Sequence, residues 1–302
     1  MKRILSIILI IGLISGIQAQ SSSDLDALQK LETQLIKKLK EVRLNTERAA
    51  QIKPNNEFEE LLRKALAYDG AFVYPFDSLG MMMGTIKSPD GKFRLFNWNL
   101  EYGEHEEQKY HCLIMKKDPK QNKFVIIELF DKSENASYQV EYEAKTEKTW
   151  YGCLYYKIIP VERMGGTVYT LLGWDGNNMM SNKKIIETMQ FNRTDKVKFG
   201  QAIFRSEDDK NKRRVIFQYN KQSVMSLKYQ ETKKTNMIIF DHLSPTSPNL
   251  EGMKDWYVPD LSFDAYVLQN GKWIYVPDVD ARTGKKFKTK YNAPDTGNTP
   301  NN

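Results

Sequence analysis

Asp241 and His242 are the residues best placed for acid–base chemistry, because they directly follow a predicted strand over Met237 to Phe240. A histidine beside a carboxylate at a strand end can serve as a general base. A hydrolase would add a further carboxylate, such as Asp260 or Asp278, but no Gly-x-Ser-x-Gly sequence marks a nucleophile. The alternative is a turn capped by Asp241, in which His242 packs or forms a hydrogen bond.

Carboxylates near the end of the chain are candidates for calcium ligands, because oxygen atoms from two adjacent loops can hold this ion. The aspartates in this region are Asp255, Asp260, Asp264, Asp278 and Asp280. The EF-hand pattern fails when counted from Asp278, since Thr283 stands in place of glycine and Thr289 in place of glutamate. We therefore assign no metal site and keep Asp260, Asp278 and Asp280 as candidates, with strand ends that lead into turns as the alternative.

His105 and His111 do not form a zinc motif. They stand six positions apart, whereas the helical His-Glu-x-x-His motif places its histidines four apart on one face. On a strand, the two rings would stand about 20 Å apart, which is too far to share one ion. We expect neither a metal ion nor another cofactor.

Trp174, Asp175 and Asn177 could form a ligand platform. A tryptophan ring beside a carboxylate and an amide is suited to stacking against a sugar and to hydrogen bonding with it. The alternative is a tight turn with Trp174 in the core, followed by a short helical or turn segment that reaches Met189.

Cys112 and Cys153 are the only cysteines, and both lie in predicted strands. In an oxidising compartment they could form a disulfide, which would contribute about 3–4 kcal/mol if the Cα atoms lie within about 7 Å. Two buried thiols are the alternative.

The N-terminus predicts export. Lys2 and Arg3 precede the apolar run Ile4 to Ile14, and Ala19 is a small residue at the predicted cleavage position, which is typical of a signal peptide over residues 1–19. The mature chain then begins at Gln20, and no second apolar stretch is long enough to span a membrane. No cysteine near the cleavage position could carry a lipid. We expect a periplasmic or secreted protein.

The charge of the chain is only mildly basic. The precursor has 45 basic and 38 acidic residues, and loss of Lys2 and Arg3 gives the mature chain a net charge of +5. Because the two signs are interspersed, we do not expect a nucleic-acid partner. Binding of an anionic glycan or nucleic acid stays open as an alternative through two basic segments, Lys37, Lys38, Lys40 and Arg43 on the first helix and Arg282, Lys285, Lys286, Lys288 and Lys290 near the end.

Residues 20–69 show helical periodicity. Leucines three or four positions apart from Leu25 to Leu39 predict one amphipathic helix, which we expect to end at Lys53 to Asn56. Apolar residues from Phe58 to Leu66 predict a second helix. The segment therefore predicts an αα-hairpin.

Residues 70–290 predict a mainly β domain of antiparallel hairpins. Turns are expected at Ser88 to Gly91, Gly165-Gly166 and Asn270-Gly271, and a fourth at Asp208 to Lys212 between strands 201–204 and 215–219. Phe124 to Phe130 is apolar on both faces, so we expect it to be covered on both sides, either by packed sheets or in a propeller-like ring. Residues 291–302 should form a disordered tail.

Several segments resemble a family of uncharacterised exported proteins from Bacteroidetes-type bacteria. They are Tyr74 to Leu79, Ser88 to Trp98, Leu171 to Asn177, Phe240 to Leu243, Tyr257 to Asp260 and Gly271 to Trp273. The resemblance implies a protein of the Gram-negative envelope and brings no catalytic residue with it. Together with the export signal and the lack of a complete catalytic set, it predicts a non-catalytic β protein that binds a ligand or partner in the envelope, with the Asp/His hydrolase as an alternative.

Overall fold

The protein is a row of four layers, in which a helical hairpin is followed by three β-sheets. The computed structural model describes residues 24–103, 106–118, 123–232 and 235–280. The predicted mainly β fold behind an N-terminal αα-hairpin is confirmed, in the form of packed sheets. The propeller-like ring is not confirmed. The predicted signal peptide and tail lie outside the described residues.

The helices come first in the chain. They are α1 (residues 24–44), α2 (Arg48–Leu66) and the one-turn α3 (Asp77–Gly80). In the described ranges, no helix has the length and apolar character needed to cross a membrane.

Sheet I is a four-stranded meander of neighbours in sequence. Its strands are β1 (Gly84–Lys87), β2 (Phe93–Tyr102), β3 (Glu107–Asp118) and β4 (Lys123–Phe130).

Sheet II has six strands, and its long members are hairpin neighbours. It contains β5 (Lys145–Thr146), β6 (Leu154–Arg163), β7 (Gly166–Asp175), β8 (Ser181–Phe191), β9 (Val197–Phe199) and β11 (Arg214–Asn220). Sheet III contains β10 (Phe204–Arg205), β12 (Leu227–Glu231), β13 (Asn236–Pro245), β14 (Tyr257–Gln269) and β15 (Lys272–Val276). All named pairs are antiparallel except β10 with β15.

The layers pack against each other through apolar side chains on both faces of the strands. In β2, Phe93 and Leu95 point into the core between sheets I and II, whereas Phe96 and Trp98 point into the core beneath the helices. Because successive side chains of a strand point to opposite faces, one strand supplies both cores. Sheet II similarly shares a third core with sheet III, in which Trp273 is fully buried.

The helical hairpin turns earlier than predicted. The predicted end of the first helix at Lys53 to Asn56 is wrong, because the turn lies at residues 45–47 and α2 runs through Pro54. An interior proline costs a helix about 3 kcal/mol. Tertiary packing offsets that cost here, since Asn55 is buried and accepts a 2.8 Å hydrogen bond from Trp98 Nε1, and Phe58 is fully buried.

Three of the four predicted hairpins are confirmed. Asn270 and Gly271 have φ angles of 49° and 72°, as a type I′ turn requires between β14 and β15. The pairing of strands 201–204 and 215–219 is wrong, because β10 pairs with β15 and β11 pairs with β8. The predicted helical or turn segment up to Met189 is also wrong, since it is the long strand β8.

The strand over Phe124 to Phe130 is less covered than predicted. Phe124 and Ile126 pack against the helical side and Ile127 against sheet II, so both faces have neighbours. The strand is nevertheless at the edge of sheet I, and within it Leu129 alone is fully buried.

A buried ion pair lies within sheet II. Arg214 and Glu187 are both 0% exposed, and Arg214 donates to Glu187 Oε1 through Nε (2.7 Å) and Nη2. Arg214 also donates to the carbonyl oxygen atoms of Val140 and Glu143, and Tyr155 donates to Glu187 Oε2 at 2.8 Å. The charges are therefore compensated inside the core.

Candidate functional site

His242 lies at an irregularity between two strands of sheet III. The register of β13 and β14 shifts there, from the pair Asp241 and Phe263 to the pair Leu243 and Pro259. Leu261, in the bulged part of β14, has a φ angle of 73°, which is uncommon for a residue with a branched side chain. Bulges of this kind redirect side chains and are frequent beside functional sites.

Asp264 fixes the imidazole ring of His242. The distance from His242 Nδ1 to Asp264 Oδ2 is 2.8 Å, and the Asp264 side chain is buried. Asp264 also accepts hydrogen bonds from the hydroxyl group of Tyr275 (2.7 Å) and from the backbone N–H of Asp278 (3.1 Å). A carboxylate held by these donors orients the ring and leaves His242 Nε2 for other contacts.

His242 Nε2 faces a second carboxylate. Asp260 Oδ2 lies 3.9 Å away, and its carboxylate is held by the hydroxyl groups of Ser244 and Ser262, each at 2.7 Å. Partial burial disfavours the charged imidazole, but the hydrogen bond to Asp264 and the nearby carboxylates outweigh it and raise the pKa of His242. Partial burial likewise opposes the Asp260 carboxylate, and the two serine hydroxyl groups outweigh it and lower the pKa of Asp260.

The centre opens into a small cavity of ≈ 220 Å³. Its walls include Phe217, Phe240, Tyr257 and Tyr275, and His242 is 43% exposed. An oriented imidazole at such a wall can accept or donate a proton at Nε2. We call this arrangement of His242, Asp260 and Asp264 the Asp-His centre.

The sequence pair Asp241-His242 is not the interacting pair. Asp241 accepts a 2.7 Å hydrogen bond from the backbone N–H of Ser226 instead. Asp264 was missed as the histidine's partner, although an aspartate directly before the apolar run Ala265 to Leu268 is a signal that could have indicated it. Asp278 contributes its backbone N–H to the centre.

The candidate metal ligands do not form a metal site. Within the described ranges, no group of three or more His, Cys, Asp or Glu side chains is arranged to hold an ion. Asp260 belongs to the Asp-His centre, and Asp278 has a left-handed backbone with a φ angle of 52°, which is typical of a turn. Asp280 follows the isolated bridge at Val279 at the end of the described chain.

The predicted ligand platform is divided between two environments. Asp175 is 3% exposed and accepts hydrogen bonds from the hydroxyl group of Tyr110 (2.8 Å) and the backbone N–H of Asn177 (2.7 Å). Asn177, with a φ angle of 47°, donates from Nδ2 to Ser181 Oγ. Trp174 is partly exposed and lines a surface groove. Asp175 and Asn177 are therefore part of a turn, whereas Trp174 lines the groove.

The groove lies where β1 of sheet I passes beside β6 of sheet II. Its volume is ≈ 770 Å³, and its lining includes Met81, Met82, Ile86, Leu154, Tyr156 and Trp174. Met81 is 88% exposed and Tyr156 is 41% exposed. Lys184 Nζ lies 4.9 Å from the ring centre of Tyr156, and Lys87 also lines the groove. We call this surface the Met-Trp groove.

Cys112 and Cys153 are both free thiols. They lie in the same buried cluster between sheets I and II, without a bond between them. Burial raises the pKa of both thiols, so neither is a reactive thiolate in the folded protein.

Of the remaining histidine and basic candidates, His111 and Lys38 contact other side chains. His111 stacks on Trp98 with ring centres 5.1 Å apart, and burial lowers its pKa to about 4. On the first helix, Lys38 forms ion pairs with Glu41 and Glu57. His105 and the basic segment from Arg282 to Lys290 lie outside the described residues.

The chain matches no protein-family model, no curated protein and no solved structure.

Proposed function

We propose that the chain is an exported, non-catalytic β protein that binds an apolar ligand or partner segment in the bacterial cell envelope through the Met-Trp groove. The observation that carries the proposal is the exposure of Met81 and Tyr156 at one groove, with Trp174 in its wall. Such a group of apolar and aromatic side chains on a surface favours binding of another apolar surface. Methionine is also able to adapt its shape to a ligand.

Two further features support this assignment. Three of the segments that resemble exported Bacteroidetes-type proteins supply groove residues, namely Pro75, Arg94 and Trp174. Lys87 and Lys184 lie beside the apolar wall. An elongated apolar ligand with an acidic group would therefore contact the apolar wall with its apolar part and the lysines with its acidic group.

The groove is tested with the anionic aromatic dye 1-anilinonaphthalene-8-sulfonate, whose fluorescence increases in apolar sites. We expect the folded protein to bind the dye and Met81→Asp to weaken binding by about tenfold, because the substitution places a charge in the apolar wall. Met164→Asp is the matched control, since Met164 is fully exposed in the turn between β6 and β7. Equal binding by both variants would refute the groove as the binding site.

Export has its own test. We expect the protein recovered outside the cytoplasm to begin at Gln20 when its N-terminus is sequenced. Recovery of an uncleaved chain from the cytoplasm alone would contradict export.

A hydrolase is the second candidate, and the 2.8 Å contact between His242 and Asp264 beside a cavity favours it. In this alternative, His242 Nε2 removes a proton from a water molecule that attacks an ester, and Asp264 orients the ring. We would then expect hydrolysis of p-nitrophenyl acetate that falls at least about 100-fold in His242→Gln and is unchanged in the surface control Glu207→Gln. Equal rates in the wild type and His242→Gln would exclude this function.

A further inference from the structure

A cavity of ≈ 650 Å³ with polar and apolar walls lies where the turn between α1 and α2 meets the end of β2. This size is within the range of about 300–1,000 Å³ that is usual for small-molecule sites. Its polar lining consists of Arg43, Asn45, Thr46, Gln51, Asn99 and Glu101. None of these residues belongs to the Met-Trp groove or to the Asp-His centre.

The walls of the cavity are held in place by hydrogen bonds between the two elements. Gln51 Nε2 donates to the carbonyl oxygen of Asn45 in the helical turn and to that of Glu101 in β2, the latter at 2.9 Å. The backbone N–H of Gly103 donates to the carbonyl oxygen of Thr46 at 3.0 Å. The cavity is therefore preformed, which reduces the entropy lost when a ligand binds.

Gln51 also presents an unsatisfied acceptor. Gln51 is 2% exposed, and no group among the described residues donates a hydrogen bond to its Oε1. A buried polar atom without a partner costs about 1–3 kcal/mol, so such atoms usually indicate a missing donor. Because Oε1 has less than 1 Å² of accessible surface, a hydroxyl group of a molecule in the cavity supplies that donor only when the Gln51 amide turns toward the cavity.

The chemistry of the lining selects among ligand classes. Arg43 and Glu101 carry opposite charges, so the cavity favours neither an anion nor a cation. Asn45, Thr46 and Asn99 are amide or hydroxyl side chains, which both donate and accept hydrogen bonds. Hydroxyl groups have the same dual character, and a ring that carries several of them matches a wall of mixed donors and acceptors.

We propose that this cavity binds a neutral polyhydroxylated ligand, a single saccharide unit, with Gln51 Oε1 accepting one of its hydroxyl groups. The two sites share no lining residue, and one hydrogen bond connects them, from Arg43 Nη2 to the carbonyl oxygen of Met82. A protein with both sites can hold a glycan and an apolar partner at once.

The proposal is tested by nuclear magnetic resonance with two probes, D-glucose and N-acetyl-D-glucosamine. We expect at least one of them to shift the side-chain amide resonance of Gln51 and to receive saturation from the protein. Thr46→Trp fills the cavity mouth and should remove both signals. Leu44→Trp is the matched control, because Leu44 is in the same region, is 83% exposed and does not line the cavity.

The outcomes separate this site from the groove. Saccharide binding that persists in Met81→Asp and is lost in Thr46→Trp supports the proposal. No Gln51 shift with either saccharide, or equal binding by Thr46→Trp and Leu44→Trp, overturns it. Acetate that shifts Gln51 while both saccharides fail would also overturn it, because the cavity would then prefer an anion.

Discussion

Replacing Arg214 by methionine should strongly destabilise the protein. Methionine retains most of the length of the side chain but removes the guanidinium group. Glu187 would then keep one hydrogen bond, from Tyr155, and would be a buried carboxylate without a counter-charge. The carbonyl oxygen atoms of Val140 and Glu143 would lose the same donor.

The size of the effect follows from the burial of both partners. Removing one member of a fully buried ion pair costs about 3–5 kcal/mol, because the remaining charge is not solvated. In a protein of this size, each kcal/mol lowers the melting temperature by about 2–4 °C, so we expect a decrease of about 6–20 °C. The double variant Glu187→Leu with Arg214→Met removes both charges and should recover at least half of the loss.

Urea unfolding, followed by tryptophan fluorescence and by circular dichroism, measures these free energies. Arg193→Met is the control, because Arg193 is exposed at the turn after β8, and its change should stay within about 0.5 kcal/mol. If Arg214→Met costs no more than Arg193→Met, the pair does not stabilise the core. If the double variant is as unstable as the single one, an uncompensated charge is not the cause.

Three further perturbations test other parts of the structure. The pKa of His242 is raised in the folded state, so the charged imidazole stabilises the fold at low pH, and this stabilisation is lost as the pH rises through that pKa. Urea midpoints measured against pH should show the loss of stability. The variant Asp264→Asn should no longer show this pH dependence. Cys112 and Cys153 should not react with a thiol reagent in the folded protein, and two thiols per chain should react once urea is added. If no thiol reacts in urea, the two cysteines form a disulfide. Gly271→Val should cost about 1–2 kcal/mol in urea unfolding, because φ is 72° and a Cβ atom would lie 3.1 Å from Arg163 Cγ; an unchanged midpoint would contradict this.

Features with local causes could be predicted from the sequence. The Asn270-Gly271 turn follows from the positive φ angles that these two residues tolerate, and the strands on either side need no distant partner. The mainly β class follows in the same way from side-chain alternation.

Features with distant causes could not be predicted. Pro54 stays inside α2 because Asn55 bonds to Trp98, 43 positions away in the chain. Asp264 reaches His242 because β13 and β14 are paired, with a register shift that no local pattern indicates. The Met-Trp groove joins residues from sheets I and II, so its existence depends on how those sheets pack.

The linear order of the layers affects how the molecule opens. Sheet II has a neighbour on each broad face, whereas the helical hairpin and sheet III each adjoin one other layer. Local openings are easiest where few contacts must break, so amide protons at the two ends of the row exchange with solvent sooner than those of β7 and β8. The outer layers can therefore open or rearrange around a bound molecule while the two inner sheets, I and II, remain closed.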